Sequence, residues 1–255
     1  MSATSEPIRG PKKWRRPAGL ELRSQLRSPS GDYRWVYLWG WPLRVVHWTS
    51  ALAIVILVVT GLYIGRPYFL IAGEASNHFV MGWMRLVHFV CGGVLVAAGI
   101  LRLYWFFMGN RYERFGALFP FSRKRLYDLW RTFRAYALIR PDEAPQYLGH
   151  NPLQQVAVTG LYFVILVMVC TGFALYGQAT PDGLIARTFA WVAPLLGGMQ
   201  VVRFVHHVLT WVVVIFVPMH IYLAIRHELL DHGAVVSSII SGGRFVSAQE
   251  HFEDA

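Results

Sequence analysis

Long apolar segments of this 255-residue chain, where ionisable side chains are rare, contain His47, His88, His220 and the adjacent pair His206 and His207. A titratable group inside a membrane span is energetically costly and usually functional. Imidazole has two uses in such a place, because the neutral ring is the commonest metal ligand and the ring can also relay protons. The sequence therefore indicates metal coordination or proton transfer inside an apolar region, with His47, His88, His206 and His220 as the candidate residues.

The chain has four long apolar runs, at about residues 45–64, 86–108, 153–177 and 201–225, and all but the third carry histidines. A helix of roughly 20 residues crosses the hydrocarbon core of a bilayer, which is about 30 Å thick, and each run is long enough to do so. A buried helix of a soluble protein is the alternative for any single run, but four such runs in one short chain disfavour it. We predict an all-α membrane protein with a bundle of four transmembrane helices.

The basic residues are distributed unevenly around these runs. A net charge of +10 can indicate nucleic-acid binding, but here nine Lys or Arg precede the first run and eight lie between the second and third. The other two connections hold Arg66, Arg85 and Arg187. The positive-inside rule places both termini and the middle connection in the cytoplasm. We predict a multi-pass protein of the bacterial cytoplasmic (inner) membrane that contacts lipid and no nucleic acid.

The segments outside the runs have a different composition. Residues 1–40 are basic and rich in Pro, Ser and Gly, and they lack the apolar stretch of a signal peptide, so we predict a mostly disordered cytoplasmic tail. Residues 231–255 are predicted to form a cytoplasmic C-terminal tail, which leaves residues 41–230 as the membrane domain. Residues 119–138 mix basic and aromatic side chains, as an interfacial helix does.

Helix geometry sorts the histidines into pairs. His206 and His220 share a face of the fourth span because they are 14 positions apart, about 1,400° at about 100° per residue, whereas His207 points to the opposite side. With the topology above, His47 lies at the cytoplasmic depth of His220. His88 lies at the outer depth of His206. Two imidazoles at one depth can ligate a b-type haem, and the lack of a C-x-x-C-H motif excludes covalent attachment. We predict two haem b groups between spans 1, 2 and 4.

Other polar residues lie near the predicted haems. Arg44, Arg102 and Arg203 are close to the ends of spans, where haem propionates would point, although snorkelling to lipid headgroups explains each arginine at least as well. His150 and Asn151 stand at the cytoplasmic entry to the third span, where a quinone headgroup would need hydrogen bonds and protons. An ordinary helix cap by Asn151 is the alternative there.

Two stretches resemble the b-type cytochrome subunit of membrane-bound nickel–iron hydrogenases, a family of four-helix dihaem cytochromes b. Arg44-Val-Val-His47-Trp48, followed by an apolar run to Thr60-Gly61, is similar to the first-span signature of that family. Arg203-Phe-Val-His206-His207-Val-Leu-Thr-Trp211, followed by His220, is similar to its fourth-span signature. Gly149-His150-Asn151-Pro152 is also typical of the group. The resemblance covers roughly residues 35–230.

The resemblance implies that His47, His88, His206 and His220 are the haem ligands. It also implies that a hydrogenase, made of an iron–sulfur small subunit and a nickel–iron large subunit, docks on the extracytoplasmic face. Electrons from hydrogen would enter at the His88/His206 haem, cross to the His47/His220 haem and reduce quinone near the cytoplasmic side. The chain would then be no enzyme by itself but the electron-transfer subunit of a hydrogen:quinone oxidoreductase, with quinone reduction at this subunit.

Two alternatives stay open from the sequence. Cytochrome subunits of formate dehydrogenase and thiosulfate reductase, and small b561-type cytochromes, share the four-helix, two-haem plan but differ in the electron donor. A haem-free membrane anchor or transporter, in which the histidines relay protons, differs in the chemistry itself.

Overall fold

The computed structural model describes residues 33–69, 78–118, 122–138, 145–230, 235–247 and 252–254. Residues 1–32 of the predicted N-terminal tail lie outside the described residues, as do residues 231–234, 248–251 and 255 of the predicted C-terminal tail. The elements in chain order are strand β1 (Tyr33–Tyr37), helices α1 (Trp41–Gly65), α2 (Val80–Met108), α3 (Arg123–Ala137), α4 (Pro152–Gly177), α5 (Leu184–Thr188), α6 (Val192–Leu196), α7 (Met199–Leu230) and α8 (Val235–Ser241), and strand β2 (Gly243–Ser247).

Four helices within the described residues are long and apolar enough to cross a membrane. They are α1, α2, α4 and α7, with 25, 29, 26 and 32 residues. Most of their large apolar side chains face outward, as expected where lipid rather than water surrounds the bundle. The predicted all-α membrane fold with four spans is confirmed.

Local sequence signals set where these helices begin. The side chain of Asn151 accepts a hydrogen bond from the backbone N–H of Gln154 at 2.8 Å, and the Gln154 side chain accepts from the backbone N–H of Asn151 at 3.1 Å. This capping box and Pro152 begin α4. Pro42 stands in the first turn of α1, where its missing N–H costs no helical bond. Pro218 lies inside α7, which nevertheless continues to Leu230.

The four spans form two helical hairpins. Helix α1 packs along α2, and α4 packs along α7, with the short helices α5 and α6 in the connection between them. The backbones of α1 and α7 approach each other at few positions. The two hairpins therefore meet largely through side chains, and the histidines lie where they meet.

One end of the bundle carries a small folded unit that we call the strand cap, made of residues 33–40, 235–247 and 252–254. Strands β1 and β2 are antiparallel, with Tyr33 opposite Ser247 and Tyr37 opposite Gly243. Gly242 adopts a φ of 100°, and its carbonyl accepts from the backbone N–H groups of Leu38 and Trp39 at 2.9 and 2.8 Å. A side chain at position 242 would be strained in this conformation.

The strand cap is formed by segments on either side of the predicted membrane domain, residues 41–230. It is packed around a buried cluster from distant parts of the chain: Leu38, Trp39, Leu43, Tyr112, Leu148, Val246 and Phe252. Each segment contributes only a few apolar residues, too few to indicate a fold. The segments become ordered because they pair and pack with one another.

A buried carboxylate joins the strand cap to the end of α2. Glu113 is 1% exposed. Its oxygens accept from the backbone N–H of Gly40 at 2.5 Å, the indole N–H of Trp105 at 3.0 Å and the backbone N–H of Asn110 at 3.1 Å. The Asn110 side chain in turn donates to the carbonyl of Leu38 at 2.9 Å. Glu113 thus holds the entry to α1 against the exit from α2.

We expect Glu113→Ala to lower the melting temperature of the detergent-solubilised protein, because three N–H donors lose their acceptor. Leaving one buried polar group without a partner destabilises a fold by about 1–3 kcal/mol. Glu113→Gln should have a smaller effect because its amide oxygen can still accept. Lys124→Ala, which removes an exposed contact to Glu253, is the control and should leave the melting temperature nearly unchanged. Equal melting temperatures for Glu113→Ala and the control would contradict this role.

Candidate functional site

The structure brings the imidazole rings of His47 of α1 and His220 of α7 next to each other in an edge-on arrangement. Their ring centroids are 6.4 Å apart, with the ring planes inclined at 60°. Two imidazoles that share one metal ion, with metal–nitrogen bonds of about 2 Å, have ring centres about 6 Å apart. The separation of His47 and His220 therefore fits one metal ion between the two rings. His220 also stacks on Phe216, one turn earlier on α7.

The other two predicted ligands each contact a threonine on the neighbouring helix. Nδ1 of His88 on α2 lies 2.9 Å from Oγ1 of Thr60 on α1. Nδ1 of His206 on α7 lies 2.9 Å from Oγ1 of Thr171 on α4.

His206 and His207 face different helices, as their helical phase predicts. Cε1 of His206 would lie 3.3 Å from a Cβ placed on Gly172 of α4. Cε1 of His207 would lie 2.8 Å from a Cβ placed on Gly65 of α1. The two rings therefore occupy separate positions, and the His206 ring is the one that lies against α4.

Open space beside the second span suits a flat macrocycle. A Cβ built on Gly92, Gly93 or Gly99 of α2 would meet nothing within 4 Å. These glycines therefore do not make close helix–helix contacts among the described residues. Together with the limited approach of α1 and α7 and the 6.4 Å spacing of His47 and His220, this arrangement fits haem.

Arg102 is a buried cation of α2, with 4% of its surface exposed. Its Nε donates to the hydroxyl of Tyr162 at 3.1 Å, and its guanidinium carbon lies 4.1 Å above the ring of Phe106. Its Nη1 is buried and has no hydrogen-bond partner among the described residues. Because an unpaired buried guanidinium N–H is costly, this side chain is suited to an anionic ligand.

The other two predicted propionate contacts differ from Arg102. Arg44 donates through Nη1 to the carbonyl of Ile240 in α8, and its buried Nε has no partner among the described residues. Arg203 lies at the start of α7, where its guanidinium donates to the side chains of Gln200 at 3.0 Å and Gln178 at 3.3 Å. Arg203 is exposed, whereas Arg44 and Arg102 each have a buried N–H group without a partner among the described residues. Arg203 therefore needs an anionic ligand less than Arg44 and Arg102 do.

His150 lies near the His47/His220 pair. Its ring centroid is 4.9 Å from that of Trp39 in the strand cap. Burial lowers the pKa of His150 to about 4, and the nearby Arg102, His220 and His47 add to the repulsion of a proton. Its ring is therefore neutral at physiological pH and can donate one hydrogen bond and accept another.

The loop that carries His150 is held from both sides. The carboxylate of Asp254, near the C-terminus, accepts from the backbone N–H groups of Leu148 at 2.6 Å and Gly149 at 2.9 Å. On the other side, the Asn151 side chain caps α4 through its oxygen. The cap interpretation of Asn151 therefore holds in the structure, and only its amide N–H group is left for a ligand.

The third span contributes residues that were not predicted from the sequence. The haems are predicted between spans 1, 2 and 4, but the structure places Thr171 and Gly172 of α4 directly against His206. A repeated dipeptide is the signal that could have found them, because Thr60-Gly61 and Thr171-Gly172 occupy similar positions before the ends of α1 and α4.

We expect Gly172→Ala to displace the His206 ring, because the new Cβ would lie 3.3 Å from its Cε1, tighter than an ordinary contact. Gly160→Ala on the same helix is the matched control, since its Cβ meets nothing within 4 Å. Both variants gain helix propensity. A lower haem content per chain in the first variant alone would support the placement of His206, and equal haem contents would count against it.

The comparison with protein families matches residues 38–242 to the model described as prokaryotic cytochrome b561. The matched region includes all four spans and both histidine pairs.

Several curated proteins are similar to the chain over most of its length. The probable Ni/Fe-hydrogenase B-type cytochrome subunit of Bradyrhizobium diazoefficiens is 39% identical, over 89% of this chain and 94% of the relative. The protein of the same name from Azotobacter chroococcum is 41% identical, over 82% of this chain and 88% of the relative. The probable Ni/Fe-hydrogenase 1 B-type cytochrome subunit of Escherichia coli K12 is 33% identical, over 82% and 90%.

Proposed function

This chain belongs to the prokaryotic cytochrome b561 family and is a membrane electron-transfer cytochrome of the b type, and from that premise we propose that it carries electrons from a nickel–iron hydrogenase to membrane quinone. The observation that carries the proposal is the meeting of His47 and His220 at 6.4 Å across the two hairpins. Haem b bound between such a pair supplies one-electron redox chemistry. The relatives' names favour hydrogenase over formate dehydrogenase or thiosulfate reductase as the donor.

We propose that residues 41–230 hold two haems, each between two imidazoles. His47 and His220 form one ligand pair, and His88 and His206 form the other. Arg102 and Arg44, whose buried N–H groups lack partners among the described residues, are proposed to bind propionates. Arg203 is proposed as a weaker contact of the same kind, because glutamine side chains already bind it.

The proposed direction of electron flow rests on the distribution of charge. The basic segments flank the end of the bundle that carries His47, His220 and the strand cap, and the positive-inside rule places this end in the cytoplasm of a bacterium. The small and large subunits of the hydrogenase would then dock at the opposite, extracytoplasmic end, beside His88 and His206. The chain would span the cytoplasmic membrane with both termini inside.

Quinone would be reduced at the cytoplasmic end. The neutral imidazole of His150 offers a hydrogen bond there, close to His47 and His220. Asn151 contributes to this site mainly by capping α4. The cap fixes the start of the helix and so helps to orient His150, which precedes Asn151. Quinone reduction at this subunit would make it the site where the complex passes its electrons to the membrane pool.

His88→Ala and His206→Ala should each halve the haem content of the purified protein, because each removes one ligand of one pair. Membranes that contain either variant with the hydrogenase should then fail to reduce the remaining haem with hydrogen. His207→Ala is the control and should keep both haems. A colourless wild-type protein would refute the haem proposal, and haem loss from the His207 variant instead of the His206 variant would refute the ligand assignment.

A further inference from the structure

We propose that Thr60 and Thr171 are positioning residues that fix His88 and His206 in the tautomer with hydrogen on Nδ1, which leaves both Nε2 atoms free for iron. The inference rests on the proposed function, because it takes these two histidines as haem ligands. It adds to that function a repeated device in which each helical hairpin prepares its own ligand.

The direction of the hydrogen bond at Thr60 follows from its own contacts. A threonine hydroxyl has a single hydrogen. Thr60 lies 2.7 Å from the carbonyl oxygen of Ile56, which can only accept, so the hydroxyl donates its hydrogen there. Toward Nδ1 of His88, at 2.9 Å, the same oxygen can then only accept. Nδ1 must therefore carry the hydrogen, and in a neutral imidazole Nε2 then has a free lone pair.

The second hairpin repeats the arrangement atom for atom. Thr171 donates to the carbonyl of Val167 at 2.7 Å and accepts from Nδ1 of His206 at 2.9 Å. The two threonines are 4% and 1% exposed. Such burial leaves little room for water to replace either hydroxyl as the acceptor. An isolated contact could be incidental packing, but its recurrence with the same atoms and distances in two hairpins points to a shared purpose.

A second backbone carbonyl lies near each threonine hydroxyl. The carbonyl oxygen of Leu57 is 3.3 Å from Oγ1 of Thr60, and that of Met168 is 3.1 Å from Oγ1 of Thr171. Carbonyl oxygens can only accept, so these contacts also draw the hydroxyl hydrogen toward the helix backbone and away from the imidazole.

The glycine after each threonine completes the device. A Cβ on Gly61 would lie 3.1 Å from Cε1 of His88, and a Cβ on Gly172 would lie 3.3 Å from Cε1 of His206. The missing side chain lets the ring lie close to the helix that offers the hydroxyl. The threonine therefore sets which nitrogen faces the helix, and the glycine sets how close the ring lies.

Thr210 shows that an ordinary intrahelical hydroxyl does not account for these contacts. Its Oγ1 donates to the carbonyl of His206 at 3.1 Å, one turn earlier on the same helix, as buried threonines in helices commonly do. No imidazole bonds to Thr210 among the described residues. Thr210 is therefore a matched control, because it is a buried threonine beside the same histidine that makes only the backbone bond.

The His47/His220 pair lacks a comparable partner. Within the described part of the chain, neither ring hydrogen-bonds to another side chain, and the contacts of the two rings are aromatic: His47 with Trp48 at 5.2 Å and His220 with Phe216 at 5.8 Å. A group that accepts the outer N–H of a metal-bound imidazole raises the basicity of the ligand and stabilises the oxidised metal. Loss of a threonine hydroxyl should therefore change only the haem of the His88/His206 pair.

The test uses the full-length purified protein with Thr60→Val, Thr171→Val, Thr60→Ser, Thr171→Ser and Thr210→Val. Each threonine-to-valine change at position 60 or 171 should weaken retention of one haem by about tenfold or more and raise its midpoint potential, while the other haem stays at its wild-type potential. The serine variants should restore both properties, and Thr210→Val should match the wild type. Haem content, a redox titration of the α-band and the low-temperature EPR of the oxidised haems are the measurements.

The outcomes that would overturn this inference differ from those that would refute the proposed function. Wild-type potentials and EPR spectra in both valine variants would overturn the inference, and so would a shift that the serine variants fail to reverse. If a valine variant does not accumulate in membranes, Thr60→Cys replaces it, because the thiol is close in size and a weak acceptor. A wild-type protein without haem, or a His88→Ala variant that keeps both haems, would refute the proposed function itself.

Discussion

An imidazole inside a membrane span needs a partner for each of its ring nitrogens, and this requirement shapes the centre of the bundle. Hydrocarbon offers no hydrogen bonds, so an unpaired N–H or lone pair there is costly. His88 and His206 satisfy one nitrogen each through a threonine on the adjacent helix. The remaining nitrogen is what a metal ligand needs, and the spacing of His47 and His220 has room for the metal.

The division of the bundle into two hairpins follows from the same requirement. Each hairpin pairs two membrane spans that follow each other in the chain, and each contains its own threonine–histidine contact, Thr60 with His88 and Thr171 with His206. The hairpins approach each other less closely than the helices within them. Side chains from both sides, His47 from one and His220 from the other, bridge the gap. A cofactor between the hairpins would therefore complete the interior that the helices alone leave open.

The strand cap determines the geometry at one end of this arrangement. It brings Trp39 from the N-terminal side against His150. It also brings Asp254, next to the last residue of the chain, to the loop before α4. Buried Glu113 holds the cap to α2 through three N–H groups. The loop beside His47 and His220 is thus positioned by residues more than 100 positions away in the chain.

Length and apolar composition determined the four spans from the sequence alone, because a bilayer has a fixed thickness and charged residues are excluded from it. Helical periodicity also distinguished His206 from His207, because 3.6 residues per turn is a property of the local backbone and does not depend on the rest of the fold. The strand cap could not be predicted, because β1 and β2 are about 200 positions apart and neither strand is stable alone. The repeated Thr-Gly dipeptide marks Thr171 in the third span, but only the fold shows that His206 lies beside it. Which residues could be ligands was thus a matter of local chemistry, and only the packing of the helices decided how each imidazole is held.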